Sequence, residues 1–257
     1  MAEERATSTD TLLEYCLRLG DDRLILGHRL SEWCGHGPIL EEDIALANIA
    51  LDFLGQASHA LEVAAAAEGA GRSADDLAFF REGVQFRNLL IVELPRGDFA
   101  FTIARQFLFD AFSVHLMDAL QKSAEPRIAE LAAKAVKEDR YHVRHSAEWM
   151  VKLGDGTDES HTRLQNAVND LWRFTGEMFL ADPVDDAAAA AGIAPAASTL
   201  KEKWDAVVND VFARANITRP ADEVFMRGGR TGKHTEHLGH LLAEMQIVAR
   251  SHPGAEW

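Results

Sequence analysis

The chain reads as an all-α protein, a bundle of long amphipathic helices, on three observations. Apolar residues recur at three- and four-residue spacing almost throughout, and no run of alternating valine, isoleucine or threonine occurs. Alanine and leucine dominate while proline is rare, with 7 in 257 residues. Apolar residues at 47% and charged residues at 26% are ordinary for a globular domain able to bury a substantial core. One domain over 1–257 is expected, with a short flexible stretch at 1–9, because no linker, internal repeat or low-complexity tract interrupts the pattern.

Taken in order, Leu12, Tyr15, Leu19, Leu26, Leu30 and Trp33 draw the first stripe, which Gly35-His-Gly-Pro38 breaks. Pro38 with the acids Glu41, Glu42 and Asp43 marks the start of a second helix running to about Glu68. Ser73 with Asp76 is a capping-box pattern opening a shorter helix that ends before the turn Pro95-Arg-Gly97. Helices are expected over about Phe99–Lys122 and Pro126–Leu153, then another after Gly154-Asp-Gly156 as far as about Leu180. The stretch 182–198 reads as mostly loop. Thr199 with Glu202 is a second capping-box pattern before a helix through Trp204 and Val211, and a last helix ends near Arg250.

The stripes are interrupted by polar residues in a consistent way. Asp22 and Arg23 fall between Leu19 and Leu26, and Asn48 and Asp52 share a face with Ala45, Gly55 and His59. Asp110 sits among Ile103, Phe107, Val114 and Met117, and Glu138, Asp139 and His142 interrupt Ile128, Leu131, Ala135, Ser146 and Trp149. A buried carboxylate is costly unless paired or hydrogen-bonded, so these lapses are expected to meet one another. Two readings compete: a metal site in the bundle core, or a metal-free ionic and hydrogen-bonded network in which Arg23 or Arg140 balances the acids.

The ligand inventory separates them. Asp139-Arg-Tyr-His142 is a carboxylate-x-x-histidine pair on an apolar stripe, and a carboxylate-bridged di-iron bundle needs that motif on two core-facing helices plus a carboxylate from each of two others. The other copy of the spacing, Asp158-Glu-Ser-His161, follows a glycine turn and lies on no comparable stripe. On the second helix, Asp52 is followed at the required spacing by Gly55, and Arg23 on the first would repel a cation. The frame is that of a di-iron protein, and the reading adopted is a polar core without metal.

Several function classes are excluded or weakened by bulk properties. A formal charge of −15, from 26 basic and 41 acidic residues, argues against a nucleic-acid surface. Two cysteines, Cys16 and Cys34, build no disulfide framework and suit a reducing cytoplasm. No apolar run of membrane-spanning length and no leader pattern are seen.

Six segments carry a family resemblance. Leu30-Ser-Glu-Trp-Cys-Gly-His-Gly-Pro38, Asp43-Ile-Ala-Leu-Ala-Asn-Ile-Ala-Leu-Asp-Phe-Leu-Gly-Gln56 and Ile103-Ala-Arg-Gln106 resemble the C subunits of bacterial phenylacetyl-CoA epoxidases. So do Lys137-Glu-Asp-Arg-Tyr-His142, Leu171-Trp-Arg-Phe-Thr175 and His234-Thr-Glu-His-Leu-Gly239, in the same order along almost the whole chain. The resemblance implies a ferritin-like, structural subunit with no cofactor of its own. Its implied partners are a catalytic A subunit holding the di-iron centre, a small B subunit and a reductase, and together they epoxidise the aromatic ring of phenylacetyl-CoA. Asp110, Asp139 and His142 then stand where the catalytic relative has metal ligands, and Asp52 and Gly55 where it has a carboxylate and a histidine. Alternatives are an active di-iron oxygenase using Asp110, Asp139 and His142 with an unidentified second half-site, or a general helical scaffold; self-association of the isolated chain is a further expectation.

The remaining signals are weaker. Gly228-Gly-Arg-Thr-Gly-Lys233 is too short for a phosphate loop and follows no strand. Its cations Arg227, Arg230 and Lys233, with His234, form a basic island read first as a solvated loop or helix-capping turn, and alternatively as a contact with the partner subunit or the anionic end of coenzyme A. His234, His237 and His240 drift around the helix and suit capping and surface roles, Asp158 and His161 suit a first turn, and Asp21 and Asp22 read as helix-start acids. Trp149, Trp172 and Trp204 are expected as packing anchors.

Overall fold

The computed structural model describes residues 2–223 and 225–255, and side chains from residue 10 onward. Ten α-helices and no strand occur among the described residues: α1 (Ala2–Ser31), α2 (Leu40–Glu68), α3 (Ala74–Phe79), α4 (Leu90–Glu93), α5 (Phe99–Leu120), α6 (Pro126–Gly154), α7 (Asp158–Trp172), α8 (Pro183–Ala190), α9 (Ser198–Arg214) and α10 (Glu236–Ser251). The flexible stretch expected at 1–9 concerns side chains outside the described range; the α1 backbone begins at Ala2. The chain divides into two compact units, one of 1–95 with 227–257 and one of 96–226.

The first unit is built on the α1–α2 hairpin. A Cβ on Gly27 would lie 3.2 Å from the Ala50 carbonyl oxygen and 3.1 Å from Leu54, and one on Gly20 2.8 Å from Leu61. Falling numbers on one helix against rising numbers on the other make the pair antiparallel, and the two glycines let the backbones approach closely. Leu46, Ile49, Ala50, Phe53, Ala57, Ala60 and Leu61 form the buried face of α2. Its first turn carries Glu41, Glu42 and Asp43 as expected, but the helix starts at Leu40 after Ile39, leaving Pro38 outside. The shorter helix after Ser73 has its capping box, with Asp76 N donating to Ser73 Oγ at 3.1 Å. It stops at Phe79, and a 3-10 turn and the one-turn α4 carry the chain to Pro95.

In the second unit, α5 is the central element. It is buried on almost every side and packs against α6, α7 and α9. Asp98 caps it by accepting from Phe101 N at 2.9 Å, and Pro126 occupies the first turn of α6, where its missing N–H costs nothing. Trp172 and Trp204 are buried against each other with ring centroids 5.7 Å apart, and Trp204 Nε1 donates to the Leu108 carbonyl at 2.9 Å. Trp149 meets Phe99 edge to face at 5.0 Å.

Three expectations for this unit are corrected. The helix after Gly156 ends at Trp172 rather than Leu180, because Thr175 Oγ1 takes the Trp172 carbonyl and the chain tightens into a 3-10 turn over Thr175–Phe179. The stretch 182–198 is not mostly loop: α8 fills its first half, since Asp182 caps the N–H groups of Val184 and Asp185, Pro183 presets the first turn and alanine propagates it. Thr199 and Glu202 form no capping box, as Thr199 Oγ1 donates to the Ala196 carbonyl at 2.6 Å and α9 starts one residue earlier.

Gly154 ends α6 against the backbone beyond α9, where a Cβ would fall 2.1 Å from the Ala215 carbonyl oxygen. Gly154→Ala is expected to destabilise the chain by about 1–3 kcal/mol despite the better helix propensity of alanine, because a backbone atom cannot yield as a side-chain tip can. Urea unfolding of the two proteins checks this.

Candidate functional site

Within the second unit, α5 and α6 each turn one polar row inward. At helical spacing α5 presents Gln106, Asp110 and Ser113, and α6 presents Asp139, His142 and Ser146, all six with no exposed surface. Gln106 Nε2 donates to Asp110 Oδ1 at 2.6 Å, and Ser146 Oγ donates to Asp110 Oδ2 at 2.8 Å. Ser113 Oγ donates to Asp139 Oδ2 at 2.6 Å, while His142 Nδ1 lies 3.7 Å from Asp139 Oδ1. Burial pushes the Asp110 carboxyl up to about 7, reinforced by the charge of Asp139 and opposed by His142, Ser146 and Gln106. Sequence spacing therefore brought Asp110, Asp139 and His142 together correctly. It missed Gln106 and Ser113, although both lie on the Asp110 face at i−4 and i+3.

This donor set does not fit a di-iron centre. Both Asp110 oxygens and one Asp139 oxygen already accept hydrogen bonds from neutral side chains. Among the described residues no group of three His, Cys, Asp or Glu side chains could hold a metal ion. What the arrangement does is join α5 to α6 through neutral donors, with burial favouring a proton on Asp110.

The face expected to carry Asn48, Asp52, Gly55 and His59 inward is turned outward: Asp52 is half-buried and the other three are exposed. The residues at carboxylate-x-x-histidine spacing on the inner face are Phe53 and Gln56. Arg23 is fully buried there, its Nε donating to Gln56 Oε1 at 2.8 Å. The assignment failed because α2 is rich in alanine all round, so apolar periodicity does not say which face is buried. The lapses expected to share one cluster thus resolve into separate local pairings within each unit. Arg140 balances no core acid, being exposed and 3.7 Å from Asp118.

A second polar cluster in the first unit was not anticipated. Asp21 and Asp22 are not helix-start acids, because α1 begins well before them and both are buried. Asp21 pairs with both terminal nitrogens of buried Arg81 and accepts from Arg87 N at 2.7 Å. Asp22 accepts from Leu89 N at 2.7 Å and from both terminal nitrogens of Arg230 at 2.9 and 2.8 Å. Glu93 accepts from Asn88 Nδ2 at 2.8 Å and stands 2.7 Å from His234 Nδ1. Arg230 and His234 therefore bind the glycine-rich loop to α1 and α4, whereas Arg227 and Lys233 are exposed. Apart from Asn88 with Glu93, these pairings join residues far apart in sequence, which is why no local pattern announced the cluster.

A frame of long helices packed around a hydrogen-bonded polar core defines a ferritin-like, all-α protein. The sequence model of the PaaA_PaaC family, described as "Phenylacetic acid catabolic protein", matches residues 1–257, and the chain belongs to that family. It is 50% identical to the C subunit of the 1,2-phenylacetyl-CoA epoxidase of Escherichia coli (strain K12) over 246 residues, covering 96% of this chain and 99% of the relative. The resemblance carried by the six segments is thereby extended over 96% of the chain.

Two outcomes follow for stability. Because the folded protein holds the Asp110 proton up to about 7 and the unfolded chain releases it near 4, the stabilising contribution is full below the unfolded value and lost as pH rises towards 7. Asp110→Asn keeps the side-chain shape and removes the titration, so its melting temperature should fall less than that of the wild type between pH 5 and pH 8, as differential scanning calorimetry would read. Arg81→Ala strands the buried Asp21 carboxylate and should cost about 3–5 kcal/mol in chemical unfolding, far more than loss of an exposed pair such as Arg163–Glu159.

Proposed function

We propose that this chain is the non-catalytic structural subunit of a phenylacetyl-CoA epoxidase in aerobic phenylacetate catabolism, acting in the cytoplasm. It pairs with the di-iron catalytic A subunit, which works with a small B subunit and a reductase, and holds that partner's long helices in shape. The observation that carries this reading is the pairing of Asp110 with Gln106 and Ser146 and of Asp139 with Ser113, which occupies the carboxylates an iron pair would need. Family membership and the 50% identity to an epoxidase C subunit support the rest. The chain requires no cofactor for this role, because its task is to offer a complementary surface rather than to activate oxygen. Exposed Arg227 and Lys233 are the side chains of the glycine-rich loop left to meet an anionic group of the partner or of coenzyme A.

Co-expression with the catalytic subunit should give a stable heteromer whose mass fits both chains. The chain purified alone should carry well below one iron per chain and consume no oxygen with phenylacetyl-CoA and reductant. Stoichiometric iron with substrate-dependent oxygen uptake by the isolated chain would instead make it an oxygenase in its own right.

A further inference from the structure

The outer face of α2 has a use that the chain itself does not explain. Of the eleven exposed large apolar side chains among the described residues, four lie on this helix and its cap: Ile39 at 50%, Leu40 at 73%, Ile44 at 53% and Leu51 at 65%. Single exposed leucines need no explanation, but a row of them does. Leu40, Ile44, Leu51, Gly55 and Ser58 fall within an arc of about 60°, at roughly 100° per residue, along about 27 Å of helix. Gly55 adds an independent observation. It is exposed in mid-helix, its backbone is ordinary helix, and a Cβ there would meet nothing within 4 Å. Nothing inside this chain calls for the second-poorest helix former at that position. Close approach by a neighbouring helix from another chain does, since small residues let two helix backbones draw together.

We propose that this stripe is the docking surface for one helix of the catalytic partner subunit, with Gly55 at the point of closest approach; the proposal rests on the structural-subunit reading above. The charges on α2 favour a different chain over a second copy of this one. The helix carries acids from Glu41 to Glu68 and no lysine or arginine anywhere. An antiparallel self-pairing centred on Leu51 would set Glu62 of one copy beside Leu40 and Glu41 of the other, placing carboxylate against leucine and against carboxylate. The fitting partner is an amphipathic helix with an apolar seam, small side chains facing Gly55 and Lys or Arg along its edges.

The test is co-expression of the chain with its catalytic subunit, with heteromer yield and dissociation constant read by mass-resolved size exclusion and titration. Leu51→Glu and Gly55→Leu should each weaken the heteromer by about 30-fold or more, the loss typical of a central interface residue. In the free chain a Cβ at Gly55 meets nothing within 4 Å and Leu51 is 65% exposed, so neither isolated variant should melt below the wild type, and Gly55→Leu should melt somewhat higher because leucine is the better helix former. Val84→Glu, an equally exposed apolar position at 70% outside the stripe, should leave assembly unchanged. If wild type assembles and both stripe variants assemble equally well, the docking surface lies elsewhere and only this inference falls. Failure of the wild type to assemble would overturn both it and the structural-subunit reading. A homodimer of the isolated chain that Leu51→Glu splits, with the heteromer unaffected, would assign the stripe to self-association and overturn the proposal as well.

Discussion

The seam between α5 and α6 is the constraint on which the second unit depends. Two carboxylates and an imidazole are buried there with no exposed surface, a burden that would unfold a marginally stable domain if left unsatisfied. Hydroxyls and an amide satisfy the two carboxylates. Ser113 and Ser146 each reach across from one helix to the acid on the other, and Gln106 braces Asp110 along its own helix. Because each hydrogen bond is directional and each donor small, the two helices are held in one register rather than in any that buries enough apolar surface. Burial is the cause of the raised affinity of Asp110 for a proton, and His142, Ser146 and Gln106 offset it only in part.

The first unit handles the same problem with charge. Asp21 and Asp22 are adjacent on α1 and face different partners, Arg81 for one and Arg230 for the other. Together with Glu93 and His234 they tie α1 to the segment 77–95 and to the loop before α10. Buried pairs of this kind add little net stability over apolar packing, but losing one partner is expensive. Their role is accordingly one of specification: they decide where a glycine-rich loop with little apolar surface of its own comes to rest. The α2 face opposite this packed side presents leucine, isoleucine, glycine and serine to the outside, the composition of a helix still awaiting a neighbour.

Much of this was legible in the sequence, for identifiable reasons. The long helices were readable because their stripes persist for many turns and because Asp98, Pro126 and Ser73 mark starts by chemistry that acts within three residues. Asp110, Asp139 and His142 were readable as a group because α6 is strongly two-faced, so its polar lapses stand out against the apolar row. Where alanine covers every face the signal disappears: α2 is rotated outward from the expected orientation, and α8 hides in a stretch that reads as loop despite a complete start signal at Asp182-Pro183. Gln106 and Ser113 escape notice because neither is charged, and an amide or hydroxyl on a core face reads as harmless until its partner is known.

By itself, then, the amino-acid order determined helix type, most helix starts and the grouping of Asp110, Asp139 and His142, since these rest on interactions a few residues apart or on the composition of one face, while family membership followed from the resemblance of six segments. Tertiary structure alone decided which side of α2 is inside, that Arg23 meets Gln56, that Asp21 and Asp22 are buried and ion-paired, and that Arg230 is spent within the chain. Those outcomes join residues from 33 to 208 positions apart. Contacts of that range are set by how whole helices pack, and no local pattern of residues encodes them.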